Sequence, residues 1–266
     1  MDFVKPSLRC LMLLSCLLAF RTATAQEIRV AAAADLKFAL DELDTQFEKQ
    51  TGKKIDISYG SSGNFFAQIE NGAPFDVLLS ADIEYPRKLE SAGLAEPGTF
   101  CEYAVGRIVI WMPGDARPDL ARLGWKALLE PSVERIAIAN PEHAPYGRAA
   151  VTALRAAGIY EQVRAKLVYG ENIAQAAQFV ASGNAQAGIL ALSLAASPPM
   201  RNGKRWRIPA NMHAPIEQGA VILKSAKDKE GARAFLAFLK SDAGRVILES
   251  YGFTLPASRR ASAPSQ

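Results

Sequence analysis

Histidine is nearly absent from this chain: His143 and His213 are the only two in 266 residues. They stand in no H-x-x-x-H or similar metal-ligand spacing, so each is expected to be structural or exposed. No G-x-S-x-G elbow and no Walker loop occurs, which removes the commonest hydrolase and nucleotide-binding readings. Cysteine is as scarce, at three residues, and Cys10 and Cys16 both fall close to the amino terminus. Cys101 by itself supports no internal disulfide framework, and a half-buried structural thiol is expected there. Basic residues form no block, so nucleic acid is not an expected partner. No apolar stretch reaches the roughly 20 residues that a membrane-spanning helix needs.

The amino terminus reads as an export address. Lys5 and Arg9 form a short basic region, Cys10 to Phe20 an apolar run, and Ala23-Thr24-Ala25 a small-x-small cleavage site. Residues 1–25 are therefore expected to be a signal peptide, with the mature start near Gln26. Leu13-Leu14-Ser15-Cys16 is a passable lipoprotein box, but cleavage there would leave the apolar run Leu17 to Phe20 on the mature chain. Removing residues 1–25 leaves 28 basic and 26 acidic residues, a net charge of +2 instead of +4.

What remains alternates between strands and helices. Ile28 to Ala34 has the apolar character of a buried parallel strand. Asp35 stands where a helix N-cap belongs, and Leu36, Leu40, Leu43 and Phe47 behind it make the stripe of an amphipathic helix. Thr51-Gly52-Lys53-Lys54 stops that helix, and Ile55 to Tyr59 is a second strand. A helix carrying Phe65, Phe66 and Ile69 follows, then a strand from Phe75 to Leu79 and a helix from Pro86 to Ala92. Further strands are expected at Gly106 to Trp111, Ile136 to Ala139, Lys166 to Tyr169, Ala187 to Leu192 and Gly219 to Leu223. Helices are expected at Leu120 to Leu129, after Gly147, at Asn172 to Ala181, Lys229 to Lys240 and Ala243 to Glu249. Pro198 to Arg207 reads as a loop and Ala257 to Gln266 as a disordered tail. This order predicts an α/β fold with mainly parallel sheets, in two lobes.

Ligands of open parallel sheets bind beyond the carboxyl ends of the strands. The loops there are Ala33-Ala34-Asp35, Gly60-Ser61-Ser62-Gly63, Ser80-Ala81-Asp82, Pro145-Tyr146-Gly147 and Glu171-Asn172-Ile173. Most are small or hydroxylic, and most lead directly into a helix, whose first turn offers free N–H donors and a favourable partial charge for an anion. Asp35, Asp76 and Asp82 could be imagined as acid–base groups. However, Asp76 follows Pro74 at a strand start and Asp82 looks like a helix cap, so catalysis is not expected.

These stretches resemble the periplasmic molybdate-binding proteins of ABC uptake systems, of the type II solute-binding family. The matching residues are Val30-Ala31-Ala32-Ala33-Ala34-Asp35-Leu36, Ser61-Ser62, Gln68-Ile69-Glu70-Asn71-Gly72-Ala73-Pro74-Phe75-Asp76-Val77 and Ser80-Ala81-Asp82. Pro141-Glu142-His143-Ala144-Pro145-Tyr146-Gly147 and Tyr251-Gly252-Phe253-Thr254 complete them, in the family's order over nearly the whole mature chain.

The resemblance implies a two-lobed, hinge-closing periplasmic-binding-protein fold with an oxyanion in the cleft. Residues 26–105 plus 215–256 would form one lobe and 106–214 the other. It implies molybdate, and tungstate with it, as ligand, no resident cofactor or metal cation, a periplasmic monomer, and delivery to a membrane permease powered by a cytoplasmic ATPase. Ser62 would give hydroxyl and amide donors beside Ser61, Ala81 and Ile173 would give amides, and Tyr146 would approach the ligand closely.

Two positions depart from the family pattern. Ala191 stands where the family often has a tyrosine ligand, and the Tyr146 hydroxyl could supply that donor from a neighbouring loop. Asp35 stands where a hydroxylic or amide residue is usual, and an ionised carboxylate only accepts hydrogen bonds. Either Asp35 caps the helix beginning at Leu36 and turns its carboxylate away, or it accepts a proton from a protonated tetrahedral oxyanion of the phosphate, arsenate or phosphite kind. An exported enzyme or a sensing module on the same fold is the alternative from another class.

Overall fold

The structure is a computed structural model and describes residues 27–256. The expected signal peptide, its cleavage site, Cys16 and the tail beyond Pro256 lie outside the described residues. Ten strands fall into two five-stranded sheets. The first holds β1 (Ile28–Ala33), β2 (Ile55–Gly60), β3 (Val77–Ser80), β4 (Cys101–Gly106) and, last in the chain, Ile216–Ile222. The second holds β5 (Ile108–Met112), β6 (Ile136–Ala139), β7 (Leu167–Gly170), β8 (Ala187–Ala191) and β9 (Lys204–Arg207). With Ile216–Ile222 as β10, the spatial orders are β2-β1-β3-β10-β4 and β7-β6-β8-β5-β9.

The two sheets are built alike. β1 pairs in parallel with β2 and β3, and β6 in parallel with β7 and β8. One strand in each sheet runs the other way: β10 against β3 and β4, and β5 against β8 and β9. Each reversed strand is the first that the chain makes after crossing from the other sheet. Arg107 alone separates β4 from β5, and the second crossing runs from Arg207 to Ile216.

Alternation along the strands distributes the core. Val30, Ala32, Val77, Leu79, Ala220 and Ile222 face one side of the first sheet, where they meet the stripe Leu36, Leu40, Leu43 and Phe47. Ala31, Leu78 and Val221 face the other side and meet Phe65, Ile69 and Leu89. This is the period of two expected of strands covered on both faces. Helix Lys37–Thr51 stops at Gly52, whose φ of +68° is the left-handed C-cap that glycine accepts most readily. Phe47 of that helix packs at 5.5 Å and 5.7 Å against Phe235 and Phe238 of helix Lys229–Leu239, tying the carboxyl-terminal segment to the first strands.

Three details correct the sequence reading. The strand expected at Gly106 to Trp111 is β5, Ile108–Met112, and Gly106 instead ends β4, an unexpected strand of the other sheet. The expected loop Pro198 to Arg207 contains an edge strand, β9. Leu120 to Leu129 is a short helix, Leu120–Leu123, followed by a 3-10 turn, because Gly124 breaks it with a φ of +53°. Cys101 is half-buried, as expected.

Candidate functional site

The carboxyl ends of the parallel strands of both sheets point at one another. β1, β2 and β3 end in Ala33, Gly60 and Ser80, and β6, β7 and β8 in Ala139, Gly170 and Ala191. The six candidate residues Asp35, Ser61, Ser62, Ala81, Tyr146 and Ile173 all lie just beyond these ends, and all are buried. Ala33, Ala34 and Ala81 from the first sheet share one apolar cluster with Tyr146 and Ile173 from the second. The two halves are thus closed on each other.

Three helices present their first turns here: Ser62–Glu70, Pro145–Ala156 and Ile173–Ala181. Asn172 caps the last of these by accepting from the amides of Ala174 and Gln175, both at 3.0 Å. That leaves the Ile173 amide as the first-turn donor the cap does not take. In the Ser62–Glu70 helix the Ser61 hydroxyl is buried and has no hydrogen-bond partner. A buried hydroxyl without a partner costs free energy, and at a binding site that shortfall is what a ligand would make good. The Ser62 hydroxyl accepts from the Ala81 amide at 2.9 Å, which leaves its own proton to donate. In this arrangement Ala81 serves the site through Ser62 rather than by offering its amide directly.

Asp35 does not behave as a cap. Neither the 3-10 turn Ala34–Leu36 nor helix Lys37–Thr51 has a side-chain cap. Instead its Oδ2 accepts from the Tyr146 hydroxyl at 2.8 Å and from Gln218 Nε2 at 2.5 Å, while its Oδ1 is buried without a partner. The expectation that Asp35 turns its carboxylate away from the cleft is therefore overturned: this end of the sheet is buried, and the side chains that donate to it come from across the cleft and from β10. Burial pushes its pKa up to about 6, partly offset by the hydrogen bonds from Gln218 and Tyr146.

The Tyr146 hydroxyl is engaged with Asp35, so it does not stand in for the tyrosine missing at Ala191. Gln218 Nε2 also reaches that hydroxyl at 3.2 Å, and Tyr103 donates to Gln218 Oε1 at 2.8 Å. Burial, then the charge of Asp35, pushes both tyrosines well above their ordinary range, so both remain neutral donors. Ser193 donates to the backbone oxygen of Asp35 at 2.7 Å. Gln218, Tyr103 and Ser193 were not singled out from sequence. The one signal was a polar Glu217-Gln218 pair ahead of the apolar run Gly219 to Leu223.

The halves are also fastened at the rim. Arg148 pairs with Asp82 at 2.6 Å, Asn64 donates to Glu171 at 2.6 Å, and the Gly63 amide donates to the His143 backbone oxygen at 3.0 Å. Asp82 is not the helix cap expected of it, since helix Glu84–Ser91 begins after Ile83 with no side-chain cap; it accepts from the Glu84 amide at 3.0 Å in a local turn. Asp76 is structural: it is buried and accepts from the Arg29 and Lys227 amides. His143 Nε2 lies 3.0 Å from the Glu171 backbone oxygen, and His213 Nδ1 lies 2.7 Å from that of Ala214. Among the described residues no group of His, Cys, Asp or Glu is placed to hold a metal cation.

Two sheets joined by two crossings, with polar groups and helix amino termini closed between them, define a two-lobed binding protein. The family model described as "Bacterial extracellular solute-binding protein" matches residues 28–254, and the chain belongs to that family. It is 41% identical over 234 residues to the molybdate-binding protein ModA of Azotobacter vinelandii, an alignment covering 88% of this chain and 92% of that one. It is 39% identical over 231 residues to the protein of the same name from Rhodobacter capsulatus, covering 87% and 89%. Its fold is similar to the solved periplasmic molybdate-binding protein of Azotobacter vinelandii. The TM-score is 0.81 at 38% identity, over 86% of this chain and 100% of that one.

Proposed function

We propose that the protein captures molybdate, and tungstate with it, in the periplasm and delivers it to an ABC permease driven by a cytoplasmic ATPase. The observation that carries this reading is the buried, unpartnered Ser61 hydroxyl, set among helix amino termini that face each other across two lobes. Such an interior favours a small anion, since hydrogen bonds to an ionised acceptor are about twice as strong as neutral ones. The names of the relatives choose which anion. Ser61, Ser62 and the Ile173 amide would donate to its oxygens, Ala81 would hold Ser62, and Tyr146 would hold Asp35. The role is binding rather than catalysis, by a monomer whose two lobes, the first including Gly106 at the end of β4, move about the two crossings.

Calorimetric titration at neutral pH tests this with molybdate, tungstate, sulfate, phosphate and arsenate. Strong binding of molybdate and tungstate alone is the expected result. Silence with molybdate and heat with phosphate or arsenate would sink it. Ser62→Ala should weaken molybdate binding by roughly 1–3 kcal/mol, because it leaves the anion short of a donor and the Ala81 amide without its acceptor. Asp82→Asn removes the rim ion pair with Arg148, whose side chains are 27% and 39% exposed. An ion pair that exposed contributes at most about 1 kcal/mol, so release of the anion in stopped flow should quicken by no more than about fivefold.

A further inference from the structure

We propose that Asp35 takes up a proton when the anion is captured, and that the resulting carboxyl group donates from Oδ1 to an anion oxygen. This rests on the molybdate reading and adds a specificity-determining residue to it. Asp35 Oδ2 is already occupied by Tyr146 and Gln218, whereas Oδ1 is buried without a partner. Asp35 and Ser61, whose hydroxyl is also unpartnered, stand just past the ends of adjacent parallel strands, where Ala33 lies in register with Gly60.

The groups that face Asp35 offer it no cation. Helix Pro145–Ala156 contributes Tyr146, β10 contributes Gln218, β4 contributes Tyr103 behind Gln218, and Ser193 binds only its backbone oxygen. Lys37, the next charged residue on its own segment, pairs with Asp41 and lies over the Tyr59 ring. Burial already raises the carboxyl to about 6. A dianion arriving in the same closed space repels the ionised form further, and none of Tyr146, Gln218, Tyr103 and Ser193 carries a positive charge to compensate. The proton comes from solvent and forms one O–H bond at Oδ1. No other bond changes, and the oxyanion is held through its oxygens.

The test is calorimetry of the wild-type protein with sodium molybdate in buffers of different ionisation enthalpy near pH 8, which counts protons directly. The expected result is uptake of about one proton per anion, and affinity falling about tenfold for each further pH unit. Asp35→Asn keeps a donor at the same place and should show no uptake and a flat affinity from about pH 6 to about pH 9. Heat with molybdate but no proton uptake and a flat profile in the wild type overturns the proposal and leaves the molybdate reading standing. No binding of molybdate at any pH overturns that reading and the proposal with it.

Discussion

An Asp35→Asn variant is expected to melt well above the wild type at neutral pH and at nearly the same temperature near pH 4. Burial raises the Asp35 pKa from 3.8 in an exposed chain to about 6 in the folded protein. The folded state thus binds this proton more tightly than the unfolded state. The associated stability is fully present below about pH 4 and is lost as pH rises through about 6. A difference of about two units corresponds to about 3 kcal/mol above that window. Asparagine keeps an oxygen for Tyr146 and Gln218 and carries no charge, so it escapes this cost. Thermal melts of both proteins at several pH values give the comparison. Equal melting temperatures at pH 7, or a gap that widens toward pH 4, would contradict the account.

Gly63→Ala is expected to lower anion affinity by up to about two orders of magnitude without harming the fold. Gly63 lies in the first turn of helix Ser62–Glu70, where alanine is intrinsically better than glycine by up to about 1 kcal/mol. The added Cβ, however, would sit 2.6 Å from the His143 backbone oxygen and 2.9 Å from the Tyr85 hydroxyl. Tyr85 can turn aside, but the His143 oxygen is main chain and belongs to the opposing half, where it accepts from the Gly63 amide. Overpacking of this kind costs about 1–3 kcal/mol, toward the upper end where backbone must give way, and here it falls on the closed form alone. If closure is what holds the anion, affinity falls by that amount. Melting of the protein without anion and calorimetry with molybdate separate the two effects. Unchanged affinity would show that the halves need not meet at Gly63 to bind.

Much of this architecture is legible in single segments. The stripe Leu36, Leu40, Leu43, Phe47 and the glycine that ends it specify their helix locally, and the hydroxylic loop Gly60 to Gly63 marks a strand-to-helix turn. What was not legible depends on partners distant in sequence. Lys204–Arg207 alternates basic residues with Trp206 and looks like a polar loop, yet it is an edge strand because β5 lies beside it. Cys101–Gly106 does not read as a strand at all, and with only Arg107 before the next one no local pattern says that the chain changes sheets there. Asp35 has the sequence context of a cap. Its actual role is set by Tyr146 and Gln218, which lie 111 and 183 residues away. Gln218 is one polar residue in a strand, and only the fold shows that it links Asp35 to Tyr103.

The position of β10 orders the events by which the chain acquires its shape. β3 and β4 share no ladder with each other; β10 lies between them and pairs with both. The first sheet therefore holds an empty slot until Ile216–Ile222 has emerged, although its other four strands come earlier in the chain. All five strands of the second sheet come from the single stretch Ile108 to Arg207. A chain threaded out amino end first can complete the later sheet before the earlier one, with β3 and β4 exposing unpaired edges in the interval. The half that begins the protein is the half that finishes last.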